Sequence, residues 1–208
     1  MMNFKTEQEK FWASDFGNDY VGRNNDPKSI ANRTAVFSKI ISQTKNVSSV
    51  LELGANIGLN LLSIKNLKPT CSFGAVEING KAVKILKQIQ NTQVFEGSIF
   101  DFSQEQLGQY DLTFTSGVLI HINPDKLKDV YSRLYNCTKK YILVKEYYNP
   151  TPVEINYRGH SGKLFKRDFA GEIMDLYPDL ELVDYGFQYH RDNNFPLDDS
   201  NWFLLKKS

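Results

Sequence analysis

The sequence predicts an α/β protein built on a mostly parallel sheet with helices on both faces. Three observations carry this. From residue 48 onward, short apolar runs alternate with segments of helical periodicity. The first of those runs, VLEL, leads directly into a turn bracketed by Gly54 and Gly58. The composition is that of a folded chain: 208 residues, 41% hydrophobic and 24% charged, enough to bury a core.

The elements follow in order. Residues 4–14 and 29–45 are predicted helices, the second because Ile30, Val36, Phe37, Ile40 and Ile41 recur at helical spacing, with Pro27 near its start. Between them, GNDYVGRNND is polar and reads as turn. SSVLELG is a buried strand, and a helix opens over residues 56–66. SFGAVEI and TQVFEG are the second and third strands, separated by the helix KAVKILKQIQ. YDLTFTSGV is the fourth strand. Asn123-Pro124 then starts a helix, Asn as its cap and Pro at the first position. KKYILVKEYY is the fifth strand. The polar run 149–169 reads as loop, followed by a helix over 168–176. LELVDYGFQYH and SNWFLLKKS, joined by RDNNFPLDD, read as a closing antiparallel hairpin. One domain is expected over 1–208. It comprises an N-terminal helical lid (1–46), a binding core (47–148), and an acceptor-site loop with the closing hairpin (149–208).

Charge narrows the function classes. Lysine and arginine number 25 against 24 acidic residues, so no electrostatic pull toward nucleic acid or an anionic membrane is expected. No apolar stretch reaches the ~18 residues of a spanning helix, and the N-terminus lacks a signal-peptide core; a cytoplasmic protein is expected. Cys71 and Cys137 form no zinc-type cluster, and no metal is expected.

The turn G-A-N-I-G is the chemical signal. Glycine lets backbone approach a ligand, and the N–H groups of the following helix face the same space. Asn56 stands where a dinucleotide-binding turn requires its second glycine, which disfavours NAD or FAD. Glu77, ending the second strand, is spaced to accept hydrogen bonds from a ribose.

With those residues in place, E-L-G-x-N-x-G resembles the first motif of class I S-adenosylmethionine-dependent methyltransferases. The resemblance implies a Rossmann-like fold with seven strands and S-adenosylmethionine as cofactor. It implies that Glu52, Gly54, Asn56 and Gly58 surround the methionine half of that cofactor. Glu77 and Ile78 would lie at the ribose, Ser98 and Ile99 at the adenine, and Gly117 and Val118 along its edge. Asp101 competes with Ser98 for the adenine amine. Over nearly the whole chain, FWASDFGNDYVGRN, ELGANIGLNL, YRGHSGKLFKRDFAGEIMDLYPDLELVDYGF, RDNNFP and WFLLKK resemble the pseudaminic acid biosynthesis-associated methylases. That implies transfer to a nonulosonic acid of the pseudaminic or legionaminic type, or to its nucleotide-activated form.

Candidate chemical groups lie on the same rim. His121, after the fourth strand, is the first candidate base, with Glu146 and His160 as alternatives. Tyr147, Tyr157, Arg158 and Arg191 are candidate acceptor contacts, the arginines because a sugar acid carries a carboxylate. Tyr20 and Arg23, in the lid, are placed to meet the cofactor carboxylate. Other readings stay open: a small-molecule or protein N-methyltransferase, a non-catalytic cofactor-binding module, and, weakest, a dehydrogenase. The oligomeric state is left undetermined.

Overall fold

Seven strands form one sheet in the order Thr92–Glu96, Ser72–Glu77, Ser49–Leu53, Tyr110–Ser116, Thr138–Glu146, Ser200–Lys207, Leu180–Gln188. The computed structural model describes residues 4–23 and 27–208. The chain runs α1 (Glu7–Ala13), α2 (Asp15–Arg23), α3 (Pro27–Ser42), β1 (Ser49–Leu53), α4 (Leu59–Leu67), β2 (Ser72–Glu77), α5 (Gly80–Leu86), β3 (Thr92–Glu96), α6 (Gln104–Leu107) and β4 (Tyr110–Ser116). It continues α7 (Leu127–Asn136), β5 (Thr138–Glu146), β6 (Val153–Tyr157), β7 (His160–Lys166), α8 (Phe169–Leu176), β8 (Leu180–Gln188) and β9 (Ser200–Lys207). β1 to β5 pair in parallel, whereas β9 is antiparallel to both β5 and β8. The expected parallel sheet with a C-terminal antiparallel hairpin is therefore present.

Alternation along β5 shows how the sheet is buried on both sides. Tyr141 and Leu143 join Phe37 and Ile40 of α3 and Leu61 and Ile64 of α4 in one core. Ile142 and Val144 join Val130 and Leu134 of α7 and Ile173 of α8 in the other. A strand covered on both faces needs apolar residues at every position, which is why these strands read as continuous apolar runs.

Two segments differ from their sequence reading. The expected turn spans 17–26; its residues 17–23 belong to α2, and 24–26 lie outside the described residues. Trp12, Phe16 and Tyr20 recur every four residues, and their rings pack edge to face; aromatic contacts outweigh the polar residues between them. The expected loop 149–169 contains the antiparallel hairpin β6–β7. Tyr157 pairs with His160 across a two-residue turn, Arg158-Gly159. Both take left-handed backbone, φ 51° and 85°, as the tight hairpin turn demands. The helix expected from residue 56 starts at Leu59, because Asn56 and Gly58 are left-handed, φ 49° and 80°.

Asp111 locks β1 to β4 at the end of the sheet away from the β1 turn. Its carboxylate accepts the Ser48 N–H and hydroxyl, both at 2.8 Å, and the Ser49 N–H at 3.2 Å, with the Lys140 ammonium 3.0 Å away. Burial opposes its ionisation, but these donors and Lys140 hold the carboxyl well below the usual carboxylate range. A depressed folded pKa adds stability that is complete above the unfolded value near 3.9 and is lost as pH falls toward the folded one. Asp111→Ala should cost about 2–3 kcal/mol at pH 7 by orphaning those donors. Thermal unfolding followed by circular dichroism should show the midpoint fall by roughly 4–10 °C, and the gap should narrow below pH 4. A midpoint within a degree of wild type would remove Asp111 from this role.

Candidate functional site

The sheet order reverses direction between β1 and β4, and loops leaving the two strands part there, opening a crevice at their carboxyl ends. A cavity of about 1120 Å³, open to solvent, occupies it. Its walls come from the segments following β1 (Gly54–Ile57), β2 (Glu77–Asn79), β3 (Gly97–Phe100) and β4 (Ser116–Val118), roofed by Trp12 and Tyr20.

The turn after β1 lies against its neighbours. Gly54 has φ 78°, and a Cβ there would stand 2.6 Å from the Val118 side chain. The N–H groups of Gly54 and Ala55 donate to the Val76 carbonyl at 2.9 and 3.0 Å. Glu77 holds the other side: its carboxylate accepts the Asn56 N–H at 2.6 Å and the Asn79 N–H at 2.7 Å. Burial raises the Glu77 pKa, and these backbone donors act against it.

Glu52 lies at the opposite end of the turn. One oxygen accepts from Asn60 Nδ2 at 2.7 Å. The other, Oε2, is buried without a partner among the described residues, and so are Gln8 Oε1 and Asn60 Oδ1. All three residues line the cavity. Burial pushes the Glu52 carboxyl up to about 8, against the pull of Asn60 and Arg33. Three buried acceptors without donors fit a ligand that brings N–H groups, above all a cation.

Ser98 and Ile99 line the cavity, whereas Asp101 does not. Asp101 accepts the Ser98 N–H at 3.0 Å and pairs with Lys5 at 3.1 Å. Gly117, Val118 and Ile78 also line it. Gly58 does not: a Cβ there would meet Ile89 and Leu86, so this glycine serves helix packing.

His121 lines the cavity beside the Trp12 and Tyr157 rings, whose centroids lie 4.7 and 4.9 Å from its own. Its Nδ1 is 2.5 Å from the Lys163 carbonyl of β7. A carbonyl only accepts, so Nδ1 carries the proton and Nε2 keeps its lone pair. Burial pushes the imidazole pKa down to about 4, against the Lys163 hydrogen bond.

The remaining expected residues do not gather at this point. Glu146 is absent from the cavity wall; its oxygens accept the Val118 and Ile120 N–H groups at 3.1 and 3.4 Å, bracing the turn after β4. His160 is exposed and packs on Phe11 and Phe16. Arg158 is exposed at the hairpin turn near the Tyr157 ring, and Arg191 is exposed in the β8–β9 connection. Tyr147 is half-buried and hydrogen-bonds Asp198. Arg23 ends α2, and its side chain lies outside the described residues. Sequence reading missed Arg33, Asn60 and Asn79, all on the wall. Asn60 stands eight residues after Glu52, beyond the motif, and no local pattern marks it. Among the described residues no His, Cys, Asp or Glu cluster could hold a metal, and no helix is long and apolar enough to cross a membrane.

No protein-family model matches the sequence, and no curated protein matches it. The fold, however, is similar to solved methyltransferases. One is coclaurine N-methyltransferase bound to N-methylheliamine and S-adenosylhomocysteine (TM-score 0.73, 11% identity, covering 100% of this chain and 84% of that one). A second is the Burkholderia thailandensis 1,6-didemethyltoxoflavin-N1-methyltransferase with its substrate and S-adenosylhomocysteine (0.70, 13%, 100% and 92%). A third is magnesium protoporphyrin IX methyltransferase from Synechocystis with S-adenosylhomocysteine (0.67, 13%, 96% and 97%). The chain has the Rossmann-like fold of class I methyltransferases.

The His121 environment predicts its titration. A folded pKa lowered to about 4 means that the unfolded chain binds the extra proton first, so this residue withdraws stability as pH falls from ~6.5 toward 4. Nitrogen-15 NMR of the ring should show a neutral Nδ1–H tautomer, unchanged from pH 5.5 to 8. A midpoint near 6.5 would contradict the buried, carbonyl-bound geometry.

Proposed function

We propose that the chain is an S-adenosylmethionine-dependent methyltransferase acting on a sugar acid of the nonulosonic type, or on its nucleotide-activated form, in the cytoplasm. The observation that carries the cofactor reading is the set of unpartnered buried acceptors, led by Glu52 Oε2, at the switch point of the sheet. Glu52 and Gln8 would take the ammonium of the methionine end, and Tyr20 would meet its carboxylate. The Glu77 carboxylate, facing the cavity with backbone donors from Asn56 and Asn79, would take the ribose hydroxyls. Ser98 and Ile99 would border the adenine. The acceptor reading rests on the resemblance of the two ends of the chain; the three similar structures act on or bind an alkaloid-type amine, a toxoflavin precursor and a porphyrin, so the fold leaves the acceptor open.

When bound, the cofactor supplies a methyl group on a positively charged sulfonium. The protein's part is to line up the acceptor and remove its proton. His121 Nε2 is the group assigned to that proton, because the ring is neutral at pH 7 and borders the cavity. Burial disfavours a charged imidazole, but the cleft already carries one positive charge before transfer, and protonated His121 leaves the total unchanged afterwards. Trp12 and Tyr157, flanking the ring, give a sugar flat apolar faces to stack on and exclude water.

Calorimetry with S-adenosylhomocysteine and turnover with activated nonulosonic acids test this together. Glu77→Ala should weaken cofactor binding about tenfold or more through lost charge-assisted hydrogen bonds. His121→Ala should leave that affinity alone and lower turnover by ~10²–10⁴. Binding of NADH with no response to S-adenosylhomocysteine would overturn the cofactor reading; wild-type turnover in His121→Ala would overturn the base.

A further inference from the structure

Two cations on the α3 side of the sheet have no part in the cofactor reading. Arg33 of α3 lines the cavity and donates from Nη1 to the Ser29 carbonyl at 3.2 Å and to the Ser29 hydroxyl. Lys145 stands opposite Ser116 in the β4–β5 register, and its Nζ donates to Ser116 Oγ at 3.3 Å; Ser116 is itself on the cavity wall. By alternation Lys145 shares the face of Tyr141 and Leu143, the face that α3 covers. Both cations are half-buried.

Neither has a carboxylate within ion-pair distance among the described residues. Of the acidic groups that face them, Glu146 is bound to the turn after β4 and Asp198 to Tyr147, while Glu52, held through one oxygen by Asn60, is pushed toward its neutral form by burial. Burial, and then the Arg33 charge, push the Lys145 ammonium down to about 8, and burial lowers Arg33. Arg33 on the cavity wall and Lys145 beside the wall residue Ser116 repel each other, and an anion between them relieves that repulsion.

We propose that Lys145, seconded by Arg33, forms a carboxylate-binding subsite that holds the acid group of the acceptor. This rests on methyl transfer to a sugar acid as the function. A carboxylate is also present on the methionine end of the cofactor, and position separates the two sources. Glu52, which takes the ammonium, is on β1; Lys145 is two strands away, a backbone separation of about 10 Å. With the ammonium on Glu52 the α-carboxylate would lie toward β1, where Arg33 also faces Glu52, so Lys145 beside Ser116 is the residue that marks the acceptor side. The acid group so held would turn the sugar toward His121. Arg158 and Arg191 are exposed, whereas Lys145 and Arg33 are half-buried.

The test titrates the S-adenosylhomocysteine complex of the full chain with N-acetylneuraminate and glucuronate, and with the neutral sugars N-acetylmannosamine and glucose. The acids should bind at least tenfold more tightly than the neutral sugars. Lys145→Met and Lys145→Gln should erase that preference while S-adenosylhomocysteine affinity and the unfolding midpoint hold; Lys145→Arg should keep it. If the Lys145 variants instead weaken S-adenosylhomocysteine and leave the acid preference intact, the subsite belongs to the cofactor and the proposal falls. It falls also if the wild-type complex shows no preference for acids. Should glucuronate match N-acetylneuraminate, both depending on Lys145, the subsite stands and the nonulosonic reading fails.

Discussion

The carboxylate of Glu77 ties the two turns that make the crevice. By accepting the Asn56 N–H after β1 and the Asn79 N–H after β2, it fixes the gap between two parallel strands at their carboxyl ends. Without it, two buried N–H groups would lack partners, and the left-handed backbone at Gly54 and Asn56 would lose its brace. The helix α4 starts where that turn ends, and the wall formed by Val118 closes on it because Gly54 has no side chain.

A second constraint is electrostatic. Glu52 and Glu77 are both buried, at 1% and 7% exposure, and their charges oppose each other. Glu77 is compensated by backbone donors. Glu52 is not, and its carboxyl is pushed up to about 8. A folded protein that keeps an acid in this state carries a cost that a bound cation repays. Arg33 on the cavity wall and Lys145 beside Ser116 have no carboxylate within ion-pair distance among the described residues.

The central sheet was legible because strands buried on both faces leave continuous apolar runs, and the cofactor turn because left-handed backbone selects Gly and Asn. α2 was not: its polar residues hid the four-residue spacing of Trp12, Phe16 and Tyr20, whose packing is tertiary. The β6–β7 hairpin was hidden because most of its residues are exposed and carry no apolar alternation; only Arg158-Gly159 hinted at a turn. Site residues near the motif were readable from position. Strand ends look alike in sequence, and only the fold shows the Glu146 oxygens turned to the Val118 and Ile120 N–H groups. Arg33 and Lys145 come from helix and strand positions far apart in the chain, and no local pattern connects them.

The central claim is that Glu52 awaits a cation in this crevice, and proton linkage reads that directly. With its carboxyl near 8, Glu52 is protonated at pH 7 in the free protein, and an ammonium at Oε2 would draw it into the charged form. S-adenosylhomocysteine binding should therefore be measured at pH 7 in buffers of different ionisation enthalpy. The account predicts release of about one proton per site, abolished in Glu52→Gln; a binding enthalpy independent of the buffer, or no binding at all, would contradict it.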